Sequence, residues 1–215
     1  MKWNFELKLK TYLTSYWFIL KIIIFFFYKI FGRGIHCVRI VLGIELEIHI
    51  VSKNIYPILC LLNKHSLCQF KNLMDIICYD SMSAKLRFFI IYNLLSVKFN
   101  IRLRLISKIN ELTTVLSSIG IFKSANWLER ENFDFFGIFF LWNNDLRRIL
   151  TDYGFMGYPL RKDFPLTGFI ETHYDDNQKR ICYRPVELSQ EYRNFKFKSF
   201  WNIKKTKMYL NNTLK

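Results

Sequence analysis

Glu129, Arg130, Glu131 and Asp134 fall within two turns of a predicted helix, and carboxylates so close can ligate a metal or work as an acid–base pair. Glu129 and Glu131 are two positions apart, however, and project about 200° from each other on a helix. Surface pairing, such as Arg130 with Asp134, is the simpler reading and stabilises by roughly a few tenths of a kcal/mol. Other reactive side chains are dispersed. The cysteines stand at 37, 60, 68, 78 and 182 without a C-x-x-C pair, so neither a zinc site, a disulfide framework nor an iron–sulfur spacing is present. The four histidines form no H-x-x-x-H pair. Gly32-Arg33-Gly34 is too short for a nucleotide loop, and no hydrolase elbow or P-loop occurs. The expectation is a chain with no catalytic residue, no metal ligand and no cofactor-binding residue of its own.

The run Leu146–Phe169, LRRILTDYGFMGYPLRKDFPLTGF, carries a different kind of chemistry. Its Pro/Gly turns, basic doublets and aromatics have neither a helical nor a strand period. Backbone this irregular must be satisfied by another surface or stay solvated. Arginine forks bind carboxylates bidentately and are enriched at interface hot spots. Arg147, Arg148, Arg161, Lys162, Asp163, Phe164 and Pro165 are therefore the expected subunit-interface residues. An equally weighted reading has the arginines closing salt bridges within the chain, to Asp152 or Glu187.

These residues need a frame. Ile44, Leu46, Ile48 and Ile50 alternate with Glu45, Glu47 and His49, which predicts a half-buried strand. Tyr56–Lys64 reads as a short helix with Ile58, Leu59, Leu61 and Leu62 inward, opening near Pro57. Alternation returns at 86–92 and 97–105, a hairpin with its turn near Asn93–Ser96. Ser124 and Gly137 are the expected N-cap and C′ residues of a helix ending at Phe136, and Asp145 the cap of another short helix ending before Gly154. Phe169–Tyr174 and Arg180–Val186 flank a turn-rich loop and predict a second hairpin. The fold class implied is α+β, with helices packed on a largely antiparallel sheet, followed by an extended irregular C-terminal docking segment. The expected divisions are an apolar and basic helical extension (1–34), the α+β domain (35–140), the docking segment with its hairpin (141–190) and a basic tail (191–215).

Charge and composition narrow the partners. Of the net +15, segments 1–43 and 191–215 carry +6 each and the middle only +3. Basic tails favour polyanions, but no RNA-binding module signature accompanies them, so no nucleic-acid partner is expected. Phe (22) and Tyr (12) abound while Pro (4) is scarce. With alanine confined to positions 84 and 125, this usage follows AT-rich codons, as in an organellar genome. Residues 12–31 would form about 30 Å of helix, the thickness of a bilayer core. Thr14, Ser15, Lys21 and Lys29 share one arc of that helix. It therefore suits a membrane surface or a hydrophobic partner groove as well as a span.

Three ordered blocks carry a resemblance: ANWLERENFDFFGIFF (125–140), the run 146–169, and YDDNQKRICYRPVELSQEYRNF (174–195). Together they resemble the family of mitochondrial NADH dehydrogenase subunit 9 and its bacterial relatives, a peripheral-arm family of respiratory complex I, over about residues 35–201. Asn143-Asn144, Tyr158 and Arg184 depart from that family's usual His-Pro, His and Glu. The resemblance implies a non-catalytic structural and assembly subunit of the proton-pumping NADH:ubiquinone oxidoreductase, in the quinone module of the peripheral arm. Its partners would be other subunits, especially quinone-module and iron–sulfur subunits, with FMN and the clusters held by those neighbours. It also implies the matrix face of the mitochondrial inner membrane. The competing reading is a membrane-anchored or RNA-associated organellar protein, such as a mitochondrial ribosomal protein.

Overall fold

Five strands form the central sheet: β1 (Ile35–Val41), β2 (Glu45–Ile50), β3 (Asn72–Asp80), β4 (Phe88–Ser96) and β5 (Ile101–Ile109). The structure is a computed structural model describing residues 29, 34–41, 45–82, 84 and 86–193. The expected helix over 12–31 and the basic tail beyond Arg193 lie outside the described residues, Lys29 aside. Among the described residues no helix is long and apolar enough to cross a membrane. The chain divides into two compact units, 1–166 and 167–215.

The strand order is β1-β2-β5-β4-β3, antiparallel throughout except for β2 against β5. The fold is α+β, with helices on a largely antiparallel sheet. Alternation selects the buried face, as the sequence predicts: Leu46, Ile48 and Ile50 on β2, Phe88, Ile90 and Tyr92 on β4, Leu103 and Leu105 on β5. Helix α1 (Ile55–Lys64) adds Ile55, Ile58, Leu59 and Leu62 to the same cluster, while Leu61 is only half-buried. Each such side chain removed from water contributes about 1.5–3 kcal/mol. Helix α2 (Ala125–Phe136) runs along β3, where the Asn132 amide donates to the Ile76 carbonyl at 2.7 Å. Two short strands, β6 (Val115–Leu116) and β7 (Phe140–Leu141), pair in parallel beside it. In the second unit β8 (Ile170–Asp175) and β9 (Arg180–Pro185) form the expected hairpin, and the Val186 N–H to the Phe169 carbonyl extends it by one bond.

The structure corrects several expectations. The β4–β5 turn is Val97–Asn100, not Asn93–Ser96. Leu94 and Ser96 continue the inward alternation, and Asn100 supplies the positive φ (51°) that closes the turn. Strands β1 and β3 were not expected, and each contains a register shift, between Ile35 and Cys37 and between Leu73 and Asp75. A bulge adds a residue and breaks the period-two pattern by which a strand is read. Ser124 does precede α2, but it has helical dihedrals and its side chain makes no capping bond. Gly137 ends the helix at φ +73° as expected. The helix expected after Asp145 does not form.

Tyr92 lies fully buried, and its hydroxyl has no hydrogen-bond partner among the described residues. A lone buried hydroxyl costs free energy that its ring does not recover. Tyr92→Phe is therefore expected to leave stability unchanged or raise it by up to about 1 kcal/mol, read from denaturant midpoints. A loss above about 1 kcal/mol would mean that the hydroxyl has a partner.

Candidate functional site: a segment held by buried carboxylates

Helix α2 has one side against β3 and the other beneath the irregular stretch 142–166, which explains its burial of polar side chains. Asp134 is fully buried. Its Oδ2 accepts three successive backbone N–H groups, from Ile149 (3.2 Å), Leu150 (2.8 Å) and Thr151 (2.9 Å). Its Oδ1 accepts from the Thr151 hydroxyl at 2.7 Å and from Arg148 Nη1 at 3.1 Å. Consecutive N–H groups turned to one anion make a nest. The N–H groups that would bond the 145–147 carbonyls in the expected helix are given to Asp134 instead, so 149–151 remains a bend.

Two further carboxylates repeat the device. Asp80, at the end of β3, takes Arg87 in a fork of 2.8 and 2.7 Å and also accepts the Lys162 N–H at 2.9 Å. Arg87 reaches on to Asp163 at 3.0 Å and to Glu111. Glu129, fully buried, accepts from the Ser117 hydroxyl (2.7 Å), from the Ser118 N–H and hydroxyl (2.6 and 2.8 Å) and from the Asn143 amide (3.1 Å). Arg161 donates to the Phe136 carbonyl at 2.7 Å, with its guanidinium 4.4 Å over the Tyr158 ring. Arg148 lies 5.0 Å over the same ring and donates to the Gly157 carbonyl at 2.9 Å. Gly137 is required here: a Cβ would stand 2.6 Å from both Arg161 and Tyr158.

The expected interface residues fall into two groups. Arg148, Arg161 and Asp163 are engaged within this unit, and Phe164 packs on Phe155 with ring centroids 5.8 Å apart. Pro165 is half-buried. Arg147 is exposed and pairs only with Asp145 at 3.1 Å; Lys162 contributes its backbone and leaves its side chain exposed. Among the described residues of this unit the arginine partners are Asp145, Asp134 and Glu111, not Asp152. Arg130 donates to the Arg147 carbonyl at 3.4 Å, and the expected pairing with Asp134 does not occur. Two of the residues that depart from the resembled family have distinct contacts, Asn143 on Glu129 and Tyr158 between two guanidinia.

Asp80 and the buried state of Glu129 and Asp134 were not anticipated. For Glu129 a signal existed, since Ala125, Glu129, Asn132 and Phe136 follow a single helical stripe. Beside the exposed charges of Arg147 and Lys162, the segment also leaves large apolar side chains outward. Trp142, Leu150, Tyr153, Met156, Leu160 and Leu166 are all exposed, Tyr153 to 99%, Met156 to 82% and Leu166 to 83%. Six exposed large apolar residues thus fall within this one irregular stretch.

Burial pushes the Asp134 carboxyl up, yet the Thr151 hydroxyl and the N–H groups of Leu150, Thr151 and Ile149 outweigh it and hold the pKa below the ordinary 3.8. Asp80 is lowered first by Arg87, against burial, and then by the Lys162 N–H. A carboxylate with a depressed folded pKa contributes stability that is fully present above the unfolded value and disappears as pH falls through the folded one. The expected outcome is that the segment 142–166 loses protection from proteolysis as pH falls below about 4. Asp134→Ala, which strands three N–H groups, is expected to cost at least about 3 kcal/mol in urea unfolding. Arg147→Ala should stay within about 0.5 kcal/mol, because its ion pair is solvated. Equal losses for the two variants would remove Asp134 as the organising group.

Residues 48–170 match the family described as respiratory-chain NADH dehydrogenase, 30 Kd subunit. The chain is 49% identical over 157 residues to NADH-ubiquinone oxidoreductase subunit 9 of Reclinomonas americana, covering 73% of this chain and 77% of that one. It is equally identical over 157 residues to a bacterial NADH-quinone oxidoreductase subunit, that of Mesorhizobium japonicum, covering 73% and 78%. Among solved structures, the trypsin-resistant fragment (1-134) of Nqo5 aligns with a TM-score of 0.51 over 60% of this chain and 99% of that one. Its 21% identity makes that likeness one of fold. Residues 48–170 take in β3, β4 and β5, α2 and the carboxylate-held segment together. By these matches the chain belongs to the family of the 30 kDa subunit of respiratory-chain NADH dehydrogenase.

Proposed function

We propose that this chain is a structural and assembly subunit of the proton-pumping NADH:ubiquinone oxidoreductase, in the quinone module of its peripheral arm. It supports electron transfer from NADH to ubiquinone by fixing the positions of neighbouring subunits, above all the quinone-module and iron–sulfur subunits. FMN and the iron–sulfur clusters belong to those neighbours. The site is the matrix face of the mitochondrial inner membrane. Organellar encoding accords with the AT-rich residue usage, and residues 12–31 serve as a contact with membrane or a partner groove. The RNA-associated alternative leaves the family match unexplained and is set aside.

The observation that carries this reading is the division of labour within 142–166. Arg148, Arg161 and the N–H groups of residues 149–151 and 162 are satisfied internally by Asp134, Asp80 and the Gly157 and Phe136 carbonyls, while Trp142, Tyr153, Met156 and Leu166 are turned out. A surface already rigid loses little conformational entropy on docking, so its apolar area converts efficiently into affinity. The polar groups best suited to acid–base work, Asp134, Asp80 and Glu129, are each committed to three or more hydrogen bonds within the unit.

Met156→Glu and Leu166→Glu test this, since both change exposed positions and leave the carboxylate anchors intact. The expected result is a several-fold drop in assembled complex on a native gel, with unchanged thermal unfolding of the subunit. NADH:quinone turnover should stay near normal for each complex that does assemble. Full assembly combined with lost turnover per complex would instead assign the segment a part in quinone chemistry or gating.

A further inference from the structure

The face of the sheet turned away from α1 and α2 carries a cavity of about 590 Å³ between β1, β2, β4 and β5. Cross-strand pairing builds it: Cys37 opposes His49, His49 stands beside Ile106, and Lys108 opposes Phe89. Four basic side chains, His36, Arg39, His49 and Lys108, line it, and no Asp or Glu does among the described residues. Glu47, two residues from His49 on β2, is bridged to Arg104. Ile106 and Phe89 give the floor an apolar character, with the Lys108 ammonium 4.9 Å over the Phe89 ring.

One atom on this wall is unexplained by the fold. His49 Nε2 is buried and has no hydrogen-bond partner among the described residues. A buried polar nitrogen with no partner is costly unless a ligand completes it. Burial first, then Arg39, holds the His49 imidazole below its ordinary value of 6.5, with Lys108 and His36 acting alike and Glu47 opposing. The chain's own flanking segments carry the wall's charge sign, since 1–33 is basic at +5 and 191–215 at +6. The volume lies within the usual range of small-molecule sites, about 300–1,000 Å³.

We propose that this cavity is an anion-binding pocket for a small amphiphile, a phosphate- or carboxylate-headed molecule whose apolar body lies on Ile106 and Phe89. The head group meets Arg39 and Lys108, and His49 supplies the hydrogen bond that the fold leaves unmade. The proposal does not depend on assembly into the respiratory enzyme, so its failure and that of the docking reading are separable.

The test is histidine-labelled NMR of the full-length chain, in which the four histidines report by position. The probes are inorganic phosphate, n-decyl phosphate below its micellar concentration, and decyltrimethylammonium as the charge control. Decyl phosphate is expected to shift His36 and His49 saturably at one per chain and to raise the His49 titration midpoint, leaving His65 and His173 in place. Its Kd should be at least tenfold below that of inorganic phosphate. The double variant Arg39→Gln, Lys108→Gln should weaken binding at least tenfold, whereas Lys64→Gln, Lys123→Gln should not. Equal shifts with the alkylammonium, movement of all four histidines together, or unchanged binding by the Arg39/Lys108 variant would overturn the assignment. So would a Glu-rich peptide that shifts His36 and His49 where decyl phosphate does not, since the pocket would then serve a protein partner. If the double variant loses its fold, seen as displaced His65 and His173 signals, the wild-type contrast between decyl phosphate and alkylammonium still decides.

Discussion

An ionised carboxylate withdrawn from water must be given hydrogen bonds, or it takes up a proton. Much of the first unit is arranged around that requirement at Asp134. The side chain sits on the face of α2 away from the sheet, and what satisfies it is the backbone of a stretch with no regular structure of its own. Stability therefore flows both ways. The segment keeps its shape because the carboxylate collects its N–H groups, and the carboxylate stays charged in the interior because the segment covers it.

Asp80 and Glu129 extend the same logic in two directions. Through Arg87, Asp80 couples the end of β3 to the start of β4, to Glu111 beyond β5 and to Asp163 in the segment. Glu129 gathers the serines that follow β6 and the Asn143 amide that follows β7. Such anchors have a geometric advantage over hydrophobic contact alone, since directional hydrogen bonds fix where a loop sits as well as that it is buried.

The sheet's interior strands and both helices were legible because the chain alternates at 44–50, 86–92 and 97–105, which overlap β2, β4 and β5, and because Gly137 marks a helix end that only a positive φ allows. What hid β1 and β3 was a single extra residue in each, near His36 and near Met74, which moved later side chains to the opposite phase. The segment was legible as irregular and as arginine-bearing, but not in its wiring. Which carboxylate meets Arg148 depends on α2 being covered on two sides, a tertiary fact with no local signature. Charge patterning also misleads at Asp134, since an acid four residues after Arg130 has the spacing of a solvated surface pair.

The parallel pairing of β2 with β5 sets an order of events during synthesis. Every backbone group on that edge of β2 waits for Ile101–Ile109, which the ribosome delivers only after α1, β3 and β4 have emerged. Until then β1 and β2 form a two-strand ribbon, a unit of marginal stability in water. One edge and one apolar face of that ribbon are left unsatisfied. The nascent amino-terminal half is therefore the aggregation-exposed stage of this protein's life.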